Sequence, residues 1–278
     1  MTAYRSEIEL IASDDTLEAA SEFDRLLESV SPPLPSDEES YPGAWDAILE
    51  AGWLDIGEPS EDAFTIVDLV EFAERWGFHL VPAPFLTSVL ARRHPAAPSS
   101  PVERFPGALT YSISKPPALQ LVPFGDGATA DGADDFAPSL PLAVGPVATE
   151  EVSSTLRQET AILRAAESLG AARKCLGLAV AYAMTREAYG RPIGKFQSLR
   201  HRLADMHLKI EAARGLITLA VTSPEDALAT ARLVTQSARE VVEGTIQVHG
   251  ANGFTWEFPM HRYLRHIIVV QKQLRFAE

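Results

Sequence analysis

Arg186-Glu-Ala-Tyr-Gly-Arg-Pro-Ile-Gly-Lys-Phe-Gln197 decides the fold of this 278-residue chain. Gly190, Pro192 and Gly194 interrupt sequence that is helical on both sides, because glycine and proline inside a helix cost about 1 and 3 kcal/mol relative to alanine. Upstream, Thr155-Leu-Arg-Gln158 reads as a capping box, and apolar residues recur at helical spacing to about Ala188, a helix of roughly 30 residues. Downstream, Leu199, Leu203, Met206 and Ile210 continue with a period near 3.6 to about Val221. Ser223-Pro-Glu-Asp226 then supplies an N-cap, a first-turn proline and two acids at the positive end of a third helix, which ends near Gly250. Pro259 opens a fourth, carrying Leu264, Ile267, Ile268 and Gln271. Four long helices with short connections predict an antiparallel bundle over residues 154–278.

Further out, residues 1–94 read as a second helical region. Ser13, Asp14, Asp15 and Thr16 can cap a helix through about Val30, before Pro32 and Pro33. Trp45, Ile48 and Leu49 form a helical face that stops at Gly52, and a third helix fits 61–76, with Ile66, Leu69, Val70, Ala73 and Trp76 on its apolar side and Gly77 closing it. Phe64, Trp76 and the other aromatics at helical spacing read as core.

Between these regions, residues 95–153 hold ten of the 20 prolines, which excludes long helices. Leu109, Tyr111 and Ile113 alternate with polar residues, and residues 119–122 form another short run, so one or two small strands are expected. The fold class is therefore mainly α: an N-terminal helical domain, a much reduced β middle segment and a C-terminal antiparallel four-helix bundle.

The net charge of −14 conceals an asymmetry: residues 1–154 carry −20 and residues 155–278 carry +6. Local field rather than total charge attracts a phosphate-bearing small molecule, so the C-terminal part is the better candidate to meet one. An isoelectric point near 5.0 argues against nucleic acid. Cys175 is the single cysteine, so no disulfide framework exists, and no apolar stretch of about 20 residues is present. A reducing, cytoplasmic location without a membrane span is the expectation.

The common catalytic and metal-binding spacings are absent from the sequence. His261 and His266 are five apart, off a shared helical face, so no metal site is expected, and Cys175 sits in an apolar helical pattern as an inert thiol. Two segments stand out. The corner at residues 186–197 presents backbone N–H groups, a guanidinium and an amide together, which suits a pyrophosphate, although a plain helix hairpin with a fixed bend reads equally from spacing. Gln247-Val-His-Gly250-Ala251-Asn-Gly253-Phe254 has glycines that admit a ligand close to the backbone, with a simple C-cap and turn as the other reading.

At these residues the chain resembles the acyl-CoA dehydrogenase family. Residues 186–197 followed by Leu203-Ala-Asp-Met206 are similar to its helix-turn-helix signature, and residues 247–254 with Glu257, Pro259 and Arg265 resemble its second signature, with Ala251 where glycine is usual. Residues 45–53 and 72–84 resemble its N-terminal helical domain more loosely, so that the likeness spans about 40–93 and 156–272. The resemblance implies FAD as cofactor and oxidation of an acyl-CoA thioester to its 2,3-enoyl form, with a carboxylate removing the α-proton. It implies a flavin shared across a subunit interface, one subunit holding the isoalloxazine and the neighbour's bundle gripping the ADP half. Arg186, Gln197, Gln247, Gly250 and Ala251 match the ADP-gripping positions, with Tyr189 at an aromatic one.

Departures from the family pattern shape the expectation further. The middle segment is about half the family's β domain and lacks its flavin-ring and acyl-CoA motifs. Aligned on Arg265, Leu274 stands at the position of the catalytic base. At the family's alternative base position on the first bundle helix stands Thr160, with Glu159 one residue, about 100°, off. The expectation is thus a subunit with no catalytic residue of its own, which lends an FAD clamp to a full-length acyl-CoA dehydrogenase homologue in an α2β2 complex. The partner supplies most of the acyl-CoA site, and a steroid side-chain CoA ester is the substrate anticipated. Two alternatives stand beside it: a scaffold homologue that binds no flavin, and a self-sufficient flavoenzyme homodimer.

Overall fold

The computed structural model describes residues 12–31, 41–60, 63–81, 83, 85–94, 109–114, 118–123, 154–255 and 258–275. The molecule is mainly α-helical. Helix α1 (Asp14–Val30) starts where Ser13 Oγ accepts the Thr16 N–H at 3.0 Å, and it buries Ala20, Phe23 and Leu27. Helix α2 (Tyr41–Glu50) turns Trp45 and Ile48 inward but leaves Leu49 outside, so the expected three-residue face is narrower by one. Gly52, at φ 74°, starts a short 3₁₀ turn over Trp53–Gly57.

Helix α3 runs over Ile66–His79, not 61–76. Thr65 Oγ1 accepts the Asp68 N–H at 3.4 Å, while Asp68 Oδ2 accepts the Thr65 N–H at 2.8 Å, and this reciprocal cap sets the later start. Nor does Gly77 close it: Leu80 does, in a left-handed conformation at φ 53°. Helix α4 (Phe85–Arg93) escaped the periodicity argument because residues 85–91 are all buried, which leaves no polar face to mark it.

Gly77 has a packing task instead. A Cβ there would lie 1.8 Å from the Glu167 carbonyl oxygen, and one at Gly170 would lie 1.8 Å from that of Glu74. Two glycines, one on each helix, thus bring the backbone of α3 onto that of α5 (Ser154–Thr185). Helix α5 packs against α3 on one side and against α6 (Gln197–Thr222), α7 (Ala227–His249) and α8 (Met260–Arg275) on the others. Residues 160–172 are consequently buried all round. One hydrophobic core runs through both helical regions, with Trp53, Phe72, Trp76 and Phe85 clustered around Phe23 at centroid distances of 4.7–6.3 Å at its N-terminal end.

Buried charges cross the same boundary. Glu74 of α3 pairs with Arg173 of α5 and Arg214 of α6. Burial alone would raise its pKa, and the two guanidiniums outweigh that and hold it below the usual carboxylate range. Glu167 sits between Arg164 at 2.6 Å and His266 at 3.3 Å; desolvation is again overcome, and its pKa falls to about 2.

The bundle departs from expectation at its connections. Helix α5 already includes Ser154, so Thr155 lies inside the helix rather than capping it. It ends at Thr185, three residues short of Ala188, because residues 187–192 turn into a hairpin of β3 (Glu187–Ala188) and β4 (Arg191–Pro192). Ser223 makes no side-chain cap, and Pro224–Asp226 form a 3₁₀ turn before α7. In the middle segment, β1 (Leu109–Ser114) pairs antiparallel with β2 (Ala118–Pro123), Leu109 opposite Pro123 and Ser114 opposite Ala118. The remainder of that segment, including most of its prolines, lies outside the described residues, as does Glu257. Among the described residues no helix is long and apolar enough to cross a membrane.

Candidate functional site

The end of α5 is tied down by backbone bonds before any ligand is considered. The Arg186 N–H donates to Tyr182 O at 2.8 Å, and the Ile193 N–H returns across the hairpin to Arg186 O at 2.8 Å. Tyr189 and Gly190 at the hairpin tip take φ values of 52° and 74°. For a bulky residue such as tyrosine the left-handed region costs on the order of 1–2 kcal/mol, and the conformation holds the Tyr189 ring 97% exposed. Phe196 steadies the base of this corner, with the Arg191 guanidinium 4.3 Å above its ring and Tyr189 edge-on at 6.3 Å.

Helix α6 begins at Gln197 with no side chain capping it. The Leu199 and Arg200 N–H groups turn back to Phe196 O at 3.2 and 3.1 Å. The first N–H groups of such a helix point outward at its positive dipole end, which favours an anion. Arg186 stands exposed beside this helix start and forms no ion pair with any described residue.

The second motif meets the first at the same end of the bundle. Helix α7 terminates as the Gly250 N–H donates to Gln247 O, with Gly250 at φ 62° and ψ −138° and no atom within 4 Å of where a Cβ would be. Gly253 allows the next turn to close, since a Cβ there would lie 2.6 Å from Ile246 O. Gln247, Ala251 and Phe254 are exposed. The link between the motifs is a cluster of rings around the buried His249, which the sequence reading did not single out. His249 lies 4.6 Å from the Tyr182 ring and 5.1 Å from Phe258, and its Nδ1–H donates to Thr245 O at 2.8 Å. Its signal was present: Tyr182 stands one helical turn before Arg186, and His249 lies inside the quoted motif. All six residues expected at the clamp (Arg186, Tyr189, Gln197, Gln247, Gly250 and Ala251) therefore occupy one end of the bundle, with one guanidinium, two carboxamides and free backbone approaches facing solvent.

The other candidates fall elsewhere. Glu159 lies at the opposite end of α5, about 40 Å from Arg186 at 1.5 Å per residue. Its carboxylate accepts from Arg93 Nε at 3.0 and 3.1 Å and lies 2.7 Å from His94 Nε2. Desolvation raises its pKa, but the His94 bond and the Arg93 charge dominate and leave it lowered. Thr160 is buried and its hydroxyl donates to Leu156 O at 2.6 Å. Leu274 is buried as well, and its carbonyl receives Arg232 Nε and Nη2 at 3.1 and 2.9 Å. Burial pushes the Cys175 thiol well above its ordinary pKa. His261 Nδ1–H donates to Phe258 O at 2.8 Å, whereas His266 faces Glu167, so the two histidines serve different parts of the core.

The family described as acyl-CoA dehydrogenase, C-terminal domain, matches residues 151–271. Acyl-CoA dehydrogenase IpdE2 of Mycobacterium tuberculosis is 48% identical over 108 residues, 38% of this chain and 34% of that protein, so the matched part spans about a third of the relative. The fold extends further than the sequence likeness. The ChsE4-ChsE5 complex of Mycobacterium tuberculosis superposes with a TM-score of 0.71 at 20% identity, covering 96% of this chain and 94% of that one. The Tcur3481-Tcur3483 steroid ACAD, as a G363A variant, gives 0.64 at 21% identity, covering 93% and 94%. Residues 151–271, which carry both signature corners at one end of a four-helix bundle, thus match the acyl-CoA dehydrogenase C-terminal domain in sequence, and the chain shares the fold of solved acyl-CoA dehydrogenases.

Proposed function

We propose that this chain is the smaller subunit of a heteromeric, FAD-dependent acyl-CoA dehydrogenase, and that it contributes the clamp on the ADP half of the flavin rather than the reacting centre. The observation that carries the reading is the grouping of Arg186, which forms no ion pair among the described residues, with Gln197, Gln247 and an open Gly250 at one solvent-facing end of the bundle. These groups fit a dinucleotide: Arg186 and the first N–H groups of α6 would take the pyrophosphate, Gln197 and Gln247 would bond its polar edges, and Tyr189 would lie against an aromatic face. The bound flavin would supply hydride acceptance. The residues of this chain would hold it, exclude water from it and orient it towards a full-length homologue in an α2β2 assembly.

The positions where the family carries its base support the division of labour. Leu274 is an apolar core residue, and the Glu159 carboxylate is engaged by Arg93 and His94. The substrate would then be an acyl-CoA thioester bound mainly by the partner, and the structural likeness to a protein described as a steroid ACAD supports a bulky steroid CoA ester. The Arg186→Ala variant tests the clamp in the complex formed with a co-expressed full-length acyl-CoA dehydrogenase homologue. Loss of one charge-assisted bond of about 1.5–3 kcal/mol predicts FAD affinity weakened by about 10- to 150-fold. Unchanged FAD content per complex would overturn the reading in favour of a flavin-free scaffold.

A further inference from the structure

Helices α1, α3, α5 and α6 enclose a cavity of about 150 Å³ whose walls are mostly charged. Helix α3 supplies the largest share, because Glu71, Glu74, Arg75 and Phe78 stand at i, i+3, i+4 and i+7 and so share one helical face. Arg173 of α5, Arg214 of α6 and Asp24 of α1 complete the lining. The Arg173 and Asp24 side chains are 46% and 49% exposed and mark the mouth, whereas Glu74 and Arg214, at 4% and 9%, mark the floor. At about 30 Å³ per water, the space takes about five waters, or one molecule of roughly six non-hydrogen atoms.

Three carboxylates and three guanidiniums line the cavity, so its formal charge is zero, yet the pairing within it is incomplete on both sides. Glu74 is satisfied by two guanidiniums, Arg173 and Arg214. Glu71 has only Arg75, whose Nη1 lies 2.6 Å from Oε2, and burial together with the Glu74 charge holds its carboxyl above the ordinary carboxylate range. Asp24 Oδ1 lies 2.8 Å from His79 Nε2 and meets no lining guanidinium. On the other side, each guanidinium carries five N–H donors. Arg75, Arg173 and Arg214 engage only one nitrogen each in hydrogen bonds, and the Arg214 Nε–H is buried without an acceptor. An inorganic anion would meet the guanidiniums but face Glu71 and Asp24. A simple cation would meet those acids but face three guanidiniums. A neutral molecule that carries both charges satisfies the two sides together, and Phe78 adds an aromatic wall against which a short carbon chain can lie.

We propose that this cavity is a binding site for a small zwitterion of the amino-acid class, its ammonium group taken by Glu71 and Asp24 and its carboxylate by Arg173 and Arg214. A ligand held this way joins α1 and α3 to α5 and α6, so its occupancy fastens the N-terminal helices to the bundle. The site does not depend on the flavin reading: Arg173 lies about 20 Å along the α5 direction from Arg186, at 1.5 Å per residue.

Isothermal titration calorimetry and thermal unfolding of the full chain with glycine, L-alanine and β-alanine test the site. At a concentration 100-fold above its Kd, at least one of the three is expected to raise Tm by about 5–10 °C. Sodium acetate and methylammonium chloride, each half of the ligand alone, are expected to give no such rise at equal ionic strength. Glu71→Gln is expected to weaken zwitterion binding by about 10-fold or more, the size of one charge-assisted bond, and to fold normally because burial already draws that carboxyl towards its neutral form. Arg173→Met, at the exposed mouth, is expected to do the same from the carboxylate side. Arg186→Ala is expected to bind the zwitterion as the parent does, which keeps this site separate from the clamp. The absence of saturable heat with all three zwitterions at millimolar concentration would overturn the proposal. So would a Tm rise that acetate or methylammonium reproduces alone, or undiminished affinity in Glu71→Gln.

Discussion

Gly170 and Gly177 lie two turns apart on the same helix, and their substitution by alanine is expected to move stability in opposite directions. Each change removes the same backbone penalty, about 1 kcal/mol in favour of the helix. At Gly177 nothing lies within 4 Å of the new Cβ, so Gly177→Ala should stabilise by about 0.5–1 kcal/mol. At Gly170 the Cβ would be 1.8 Å from Glu74 O, 2.8 Å from its carbonyl carbon and 2.9 Å from Phe78 N. These are backbone atoms that no rotamer change can move. Relief requires α3 and α5 to part by more than 1 Å across a shared core, and overpacking of this kind costs about 1–3 kcal/mol or more. The parting also stretches the buried pairs from Glu74 to Arg173 and Arg214. A net destabilisation of about 2 kcal/mol follows, which separates the two variants by roughly 6–12 °C in Tm for a chain of this size. Urea and thermal unfolding followed by far-ultraviolet circular dichroism would read the difference. If Gly170→Ala proved as stable as the parent, or Gly177→Ala fell equally far, backbone contact between α3 and α5 would be refuted as a determinant of the fold.

Glu167, whose pKa is pulled from 4.5 to about 2, contributes stability that is complete above pH 4.5 and disappears as pH falls towards 2. Its full worth is about 3 kcal/mol, so the urea midpoint of Glu167→Gln should lie well below the parent at pH 7 and converge with it in acid; a pH-independent gap would contradict the ionised core pair. Tyr189→Gly should raise stability by about 1 kcal/mol by relieving the left-handed strain while weakening FAD retention by the complex, and an effect on neither would remove the case for a positioned ring. Glu159→Gln should leave turnover of the complex near that of the parent, since its carboxylate is held by Arg93 and His94; the 10²- to 10⁴-fold loss that follows removal of a general base would identify Glu159 as that base.

The long bundle helices were legible because one period governs each of them, and residues such as Met206 and Ile210 are where a 3.6-residue repeat puts them. The two signature corners were legible as breaks, the first through Gly190, Pro192 and Gly194 and the second through Gly250 and Gly253. Helix ends were less so. Gly77 looked like a terminator because glycine commonly ends helices, yet here its missing side chain serves a contact with a helix almost 90 residues away, and nothing local records that. Helix α4 hid for the opposite reason: a segment buried on every side carries no alternation to read. The Tyr182-His249 stack and the engagement of Glu159 by Arg93 and His94 are meetings of residues distant in sequence, which a one-dimensional pattern does not encode.

The Arg93, His94 and Glu159 knot has an architectural consequence. The chain ends α4 at Arg93–His94 and starts α5 at Ser154, and Glu159, within a turn and a half of that start, fastens the two points to each other. A chain segment whose ends are already pinned can change length cheaply, because doubling a closed loop costs only about 0.6 kcal/mol in closure entropy. The tie between α4 and α5 does not depend on the length of chain that joins them, so a longer or shorter connection between His94 and Ser154 is expected to leave the packing of the two helices in place.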